Sequence, residues 1–135
     1  FAFNWKPPYV SSDVGNVIGK PWMAEVYTKD PFEGAACLNP RTAAAKGLKD
    51  GDWVRISSRY GSIECPIITS ERFHPDGIGI SGTYGPGNVG SNPLNTRGPH
   101  FNRLIPTSIE TIDPVSASQE IAPKVKVEKI AKRSN

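Results

Sequence analysis

Residues 38–61 have the sequence LNPRTAAAKGLKDGDWVRISSRYG, and this stretch decides the fold. Asn39 can cap the free amides at the start of a short helix, and Pro40 suits the first helical turn. Three alanines then propagate the helix, and Gly47 ends it. After the Asp50-Gly51-Asp52 turn, a β-rich run begins at Trp53. The stretch therefore predicts a helix of about two turns, held by packing, followed by a strand.

Short β-rich runs extend from this stretch in both directions. The runs 53–58 and 62–68 are separated by a turn that contains glycine, which predicts a hairpin. Residues 78–81 form another short apolar run, residues 1–9 open with alternating aromatics, and residues 124–128 alternate strictly between lysine or glutamate and valine. Six or seven short strands with one or two small helices predict an all-β barrel.

The composition supports this class of fold. Glycine and proline together account for 26 of the 135 residues, so the chain has many turns and an all-helical protein is excluded. A chain of this length is expected to form one domain, spanning residues 1–135.

The net charge of +3 does not indicate a nucleic-acid partner. Five basic residues lie between positions 124 and 133 against one glutamate, so the remaining 120 residues are close to neutral. No apolar run is long enough for a membrane span and no signal peptide is visible, so direct membrane insertion is not expected. Because the chain starts at Phe1, we expect it to be a processed product or a piece of a longer chain.

The cysteines and histidines give little support for a hydrolytic or metal site. Cys37 and Cys65 are expected to be buried free thiols, although a single disulfide stays open. Two histidines and two unpaired cysteines do not make a standard zinc site. His74 is expected to be a turn residue, whereas His100 follows a long glycine-rich loop, where a donor could face a ligand.

Residues 77–82 match the GxGxxG pattern of dinucleotide-binding folds in their letters. The pattern requires a helix immediately afterwards, and the sequence Thr83-Tyr84-Gly85-Pro86-Gly87 cannot form one. The glycines are expected instead to allow close packing at a barrel corner.

The polar loops carry more information than the titratable groups. Segments around Ser11, Gly85, Asn102 and Ser118 are rich in hydroxyls, amides and open backbone. Neutral donors bind a large polar ligand through many hydrogen bonds and need no acid–base chemistry. This pattern favours a cofactor-holding module, with ordinary surface loops as the open alternative.

The ordered set of these motifs resembles the C-terminal, molybdopterin-dinucleotide-binding domain of the dimethyl sulfoxide reductase family. Residues 38–61 carry its Asn-Pro, Ala-rich helix, Gly-Asp-x-Val and Ser-x-x-Gly elements. The resemblance continues through His74-Pro75-Asp76-Gly77, Asn102-Arg103-Leu104 and Asp113-Pro114-Val115-Ser116 to the final Lys-Val-Lys-Val run. It covers nearly the whole chain and implies a six-stranded double-psi β-barrel of the aspartate-decarboxylase-like type.

The resemblance also implies a function. Such domains hold molybdopterin guanine dinucleotide in a molybdenum or tungsten oxidoreductase, in which the pterin dithiolenes ligate the metal. The domain by itself is not expected to be catalytic, and the protein ligand of the metal lies outside it. The partners implied are the remaining domains of the parent enzyme and an iron–sulfur electron-transfer subunit.

Residues matching the family's cofactor-contacting positions can be assigned one by one. Ala117 stands where relatives commonly have glycine, and the loop around Asn16 departs from the usual Ser/Thr-Arg pattern. Together with His100, the residues expected to contact the cofactor are Lys6, Ser11, Ser12, Asn16, Asn102, Ser118 and Gln119.

The first segment, residues 3–26, resembles the branch of the family that reduces thiosulfate, polysulfide or tetrathionate. The resemblance implies a parent enzyme that is exported to the periplasm or else stays in the cytoplasm. Two alternatives remain open: a double-psi barrel that acts as a protein- or nucleic-acid-interaction module without cofactor, and a small self-contained enzyme that uses His100.

Overall fold

The computed structural model describes residues 1–6, 22, 25–26, 29–32, 34–81, 98–119 and 121–132. The strands in these ranges are β1 (Ala2–Trp5), β2 (Ala36–Leu38), β3 (Trp53–Ser57), β4 (Ser62–Thr69), β5 (Ile78–Ser81) and β6 (Lys126–Lys129). Helix α1 spans Pro40–Ala45, and two 3₁₀ helices span Phe101–Leu104 and Ile109–Thr111.

The six strands form one sheet in the order β1-β5-β2-β4-β3-β6. The pairs β1/β5 and β2/β4 are parallel, whereas β2/β5, β3/β4 and β3/β6 are antiparallel. The sheet curls into a half-barrel with very little helix. The prediction of an all-β, six-stranded barrel domain is therefore confirmed.

The predicted hairpin is formed by β3 and β4, which pair over five positions from Trp53/Pro66 to Ser57/Ser62. Along β3 the buried side chains are Val54 and Ile56, and Arg55 between them is exposed, as expected for a strand with one face on the core. Opposite them on β4, alternate residues from Ile63 onward are buried. This shared inner face supplies much of the hydrophobic core.

Helix α1 begins and ends as its sequence predicts. The Asn39 side chain accepts a hydrogen bond from the backbone N–H of Arg41 at 2.9 Å, and its amide donates to the carbonyl of Phe73 at 2.8 Å. Gly47 has a φ of +64°, a left-handed conformation that glycine adopts without strain. The cap therefore both starts the helix and ties it to the segment before β5.

Gly79, in the pattern GxGxxG, lies in the middle of β5. A Cβ atom at this position would come within 2.2 Å of the Phe73 ring. The glycine is needed because an aromatic ring packs against the strand backbone, which agrees with the expected packing role. Gly82, the last glycine of the pattern, lies outside the described residues.

Two details differ from the sequence-based expectations, and the state of the cysteines agrees with them. Strand β2 was not predicted, because it has three residues, all buried between β4 and β5, and so shows no alternation. Strand β6 begins at Lys126, two residues later than expected. Cys37 and Cys65 are both buried and free, as predicted.

No helix in the described ranges has the length and apolar character to cross a membrane.

Candidate functional site

The first 3₁₀ helix, Phe101–Leu104, positions the side chains of the candidate site. Phe101 and Leu104 are both buried in the core, three residues apart on one side of the turn. Asn102 and Arg103, between these anchors, are exposed. Leu104 thus holds the Asn-x-Leu element to the core, and Asn102 is exposed beside it.

A cleft of about 610 Å³ lies beside this turn; we refer to it as the His100 cleft. It is lined by the β3–β4 turn and the start of β4, by the 3₁₀ helix, and by the chain that follows it. The lining side chains that carry polar groups include Tyr60, Ser62, His100, Asn102, Arg103 and Thr107. The donor set is therefore mainly neutral hydroxyl and amide groups with one guanidinium, which suits a large polar ligand with many hydrogen-bonding atoms.

His100 is electrostatically distinct within this cleft. Burial lowers the pKa of its imidazole below the ordinary value, and the nearby Arg103 guanidinium lowers the pKa further. The ring is therefore neutral at pH 7, with one nitrogen as donor and the other as acceptor. Its Nδ1 atom is buried and has no hydrogen-bond partner among the described residues. An unpaired buried polar atom is costly.

Ser118 and Gln119 follow a tightly hydrogen-bonded turn that begins at Asp113. The Asp113 carboxylate accepts hydrogen bonds from the backbone N–H groups of Val115 and Ser116 and from the Ser116 hydroxyl, at 2.7–3.0 Å. These hydrogen bonds lower the pKa of Asp113. Ser118 is exposed and Gln119 half-buried, and neither belongs to the described residues that line the His100 cleft.

Ala117, which precedes Ser118, has a φ of +53°. This is the left-handed region that favours glycine, so the Cβ atom of Ala117 makes this backbone conformation strained.

Lys6 directly follows β1 and is exposed. Trp5, its neighbour in sequence, lines a second cleft of about 620 Å³ together with Phe32 and Arg72. The indole Nε1 of Trp5 is buried without a hydrogen-bond partner among the described residues. The other predicted contacts in this part of the chain, Ser11, Ser12 and Asn16, lie outside the described residues.

Of the predicted residues, His100 and Asn102 line the same cleft. Tyr60, Ser62 and Arg103 line it as well. Sequence reasoning did not select these three. Tyr60 and Ser62 flank the glycine of the Ser-x-x-Gly element, which was the available signal.

The described part of the chain contains no group of three or more His, Cys, Asp or Glu residues that could hold a metal ion. Burial raises the pKa of Cys37 and of Cys65 to about 12, so both are protonated at neutral pH. A protonated, buried thiol is neither a metal ligand nor a nucleophile.

Comparison with known proteins places these features in a family. The family model described as "Molydopterin dinucleotide binding domain" matches residues 16–122, which include the helix, the hairpin, the His100 cleft and the Asp113 turn. A sequence search of curated proteins gives no match.

Among solved structures, the fold is similar to part of acetylene hydratase from Pelobacter acetylenicus, with a TM-score of 0.67 and 13% sequence identity. The similarity covers 96% of this chain and 18% of that one, so this chain spans less than a fifth of the length of the relative. The family match extends over most of the residues, and the chain belongs to the molybdopterin dinucleotide-binding domain family.

Proposed function

We propose that this chain holds a molybdopterin guanine dinucleotide in the His100 cleft, as the C-terminal domain of a molybdenum or tungsten oxidoreductase. Family membership supports a molybdopterin dinucleotide as the cofactor class. The guanine base, the assigned cleft and the parent enzyme are inferences beyond this family membership.

The observation that carries the proposal is that the His100 imidazole and the exposed Asn102 line one cleft. A neutral imidazole and a carboxamide can each donate and accept, which matches the mixed donors and acceptors of a pterin or purine edge. The guanidinium of Arg103 adds a positive charge that suits a pyrophosphate.

The remaining predicted contacts complete this proposal. Lys6 offers an ammonium group to a phosphate, and Ser11, Ser12 and Asn16 would add neutral donors from the loop that follows. Ser118 and Gln119 would contribute from the Asp113 turn, whose carboxylate fixes the backbone before them.

When bound, the cofactor supplies a dithiolene-ligated molybdenum or tungsten ion that exchanges two electrons together with an oxygen or sulfur atom. This chain supplies hydrogen bonds and orientation, and the protein ligand of the metal belongs to another part of the parent enzyme. As substrates of the parent we propose small sulfur compounds or oxyanions, after the resemblance of residues 3–26 to thiosulfate, polysulfide and tetrathionate reductases.

The proposed partners are the other domains of the parent enzyme and an iron–sulfur subunit. Supporting evidence comes from the segment 109–121, in which Ile109, Val115 and Ile121 are all more than 60% exposed. Large apolar side chains that are exposed in one short segment are typical of a surface that another protein part covers.

The proposal is tested by calorimetric titration of the 135-residue chain with metal-free molybdopterin dinucleotide. Asn102→Ala removes an amide that lines the cleft, and Asn4→Ala removes an exposed amide on β1 that lies outside the cleft lining. Loss of one or two hydrogen bonds is expected to weaken binding about tenfold in Asn102→Ala and to leave Asn4→Ala unchanged.

Equal affinity in Asn102→Ala and the native chain would contradict the assignment of the cleft. Competition with GMP and with CMP examines the base: the guanine nucleotide is expected to compete and the cytosine nucleotide to compete less.

A further inference from the structure

Gly61 lies where the β3–β4 turn meets the 3₁₀ helix of the candidate site. A Cβ atom at position 61 would come within 2.5 Å of the carbonyl oxygen of Arg103 and 3.6 Å of its carbonyl carbon. Cβ atoms do not approach other heavy atoms closer than about 3.0 Å. The obstructing group is backbone, so it cannot rotate away as the end of a long side chain could.

The turn that carries Gly61 is held firmly in place. The Ser58 hydroxyl oxygen accepts hydrogen bonds from the N–H groups of Tyr60 and Gly61, at 3.0 and 3.3 Å. The Ser58 N–H also donates to the Gly61 carbonyl at 2.9 Å, and the two strands then pair over five positions. A side chain at position 61 would therefore displace the opposite partner, the 3₁₀ helix, more readily than its own turn.

The 3₁₀ helix is fixed at only two of its side chains, Phe101 and Leu104, which are buried in the core. Asn102 and Arg103, which line the cleft from this helix, are exposed, and the N–H of Arg103 donates to the carbonyl of His100, the residue before the helix, at 3.1 Å. A displacement of the Arg103 carbonyl would therefore also move His100, because this hydrogen bond links the two residues.

We propose that Gly61 is a positioning residue for the candidate site: the absence of a side chain lets the Arg103 carbonyl approach the β3–β4 turn, which sets the placement of His100 and Asn102. This inference rests on the proposed function for its consequence in cofactor binding, but the displacement itself is independent of any ligand.

The test compares Gly61→Ala with Gly51→Ala in the 135-residue chain. Gly61 is not among the described glycines with positive φ, so alanine there meets the Arg103 carbonyl and no left-handed strain. Gly51 has a φ of +83° and nothing within 4 Å of its Cβ position, so alanine there strains the backbone away from the site. The second variant is therefore a control for a general loss of stability.

Three readouts separate positioning from stability. In Gly61→Ala we expect the backbone amide signals of residues 100–104 to shift and the midpoint of the His100 imidazole titration to move, in NMR spectra recorded without ligand. We expect about tenfold weaker binding of metal-free molybdopterin dinucleotide in the same variant. Gly51→Ala is expected to lower the melting temperature and to leave all three properties at their native values.

Ser58→Ala gives a second variant without a steric clash. It removes the acceptor that fixes the turn, so smaller shifts of the same amide signals are expected. Unchanged amide signals and an unchanged His100 titration in Gly61→Ala would overturn the inference, as would equal effects in Gly51→Ala. If the native chain does not bind the dinucleotide but the ligand-free shifts occur, the proposed function fails and the positioning role stands.

Discussion

Replacing Ala117 by glycine is expected to stabilise this chain. Ala117 has a φ of +53°, where the Cβ atom of an L-residue crowds the following carbonyl oxygen. The surrounding turn enforces this conformation: the Ala117 N–H donates to the Asp113 carbonyl and the Asp113 N–H donates to the Ser118 carbonyl, both at 2.9 Å. The residue cannot relax unless these hydrogen bonds break.

The magnitude follows from two opposing effects. A left-handed conformation costs a residue that has a Cβ about 1–2 kcal/mol. Glycine avoids that cost but loses roughly 0.4–1 kcal/mol because its unfolded chain is freer. We expect Ala117→Gly to raise the free energy of unfolding by about 0.8 kcal/mol, which is roughly 2–4 °C in melting temperature for a domain of this size.

The assay is thermal and urea unfolding of the native chain, Ala117→Gly and the control Ala44→Gly. Ala44 lies exposed in helix α1, where the same chemical change is expected to destabilise by about 1 kcal/mol. The two substitutions should therefore have opposite signs. A lower melting temperature in Ala117→Gly, or equal losses in both variants, would refute the reasoning.

Three further predictions concern the core and the Asp113 turn. Gly79→Ala places a Cβ against the Phe73 ring and should lower the free energy of unfolding by about 1–3 kcal/mol. Urea unfolding of the double variant with Phe73→Leu should show that part of this loss is restored. The buried, protonated thiols of Cys37 and Cys65 should react with a thiol-specific dye at pH 8 only after denaturation; fast reaction of the native chain would contradict their burial. The hydrogen bonds to Asp113 lower its pKa in the folded state, so the charged carboxylate stabilises the chain above its unfolded pKa, and this stabilisation is lost as the pH falls through the lowered folded pKa. Asp113→Asn should therefore flatten the decline in melting temperature below about pH 4. An unchanged decline would show that the turn does not depend on the charge.

Local signals made the helix and the hairpin predictable. The Asn39 cap, the alanines and Gly47 act within a few residues of one another, and each lies in the structure where its chemistry requires. Strand β2 had no such signal, because a three-residue strand buried on both sides shows no period in its sequence. Its position depends on β4 and β5, which are distant in the chain.

The candidate site was predictable only in part for a similar reason. A polar loop indicates His100 and the Asn-x-Leu element indicates Asn102, and both residues line the cleft. Tyr60 and Ser62 line the same cleft, although they lie about forty residues earlier in the chain. They are brought there by the fold, which places the Gly61 backbone against the Arg103 carbonyl. Neither the pairing of these segments nor the unpartnered Nδ1 of His100 can be inferred from local composition.

The most direct test of the central claim is a map of backbone amide shifts when metal-free molybdopterin dinucleotide is added to the 135-residue chain. We predict saturable shifts at residues 60–62 and 98–104, which surround the His100 cleft. Binding accompanied by shifts elsewhere and none at these residues would contradict the account.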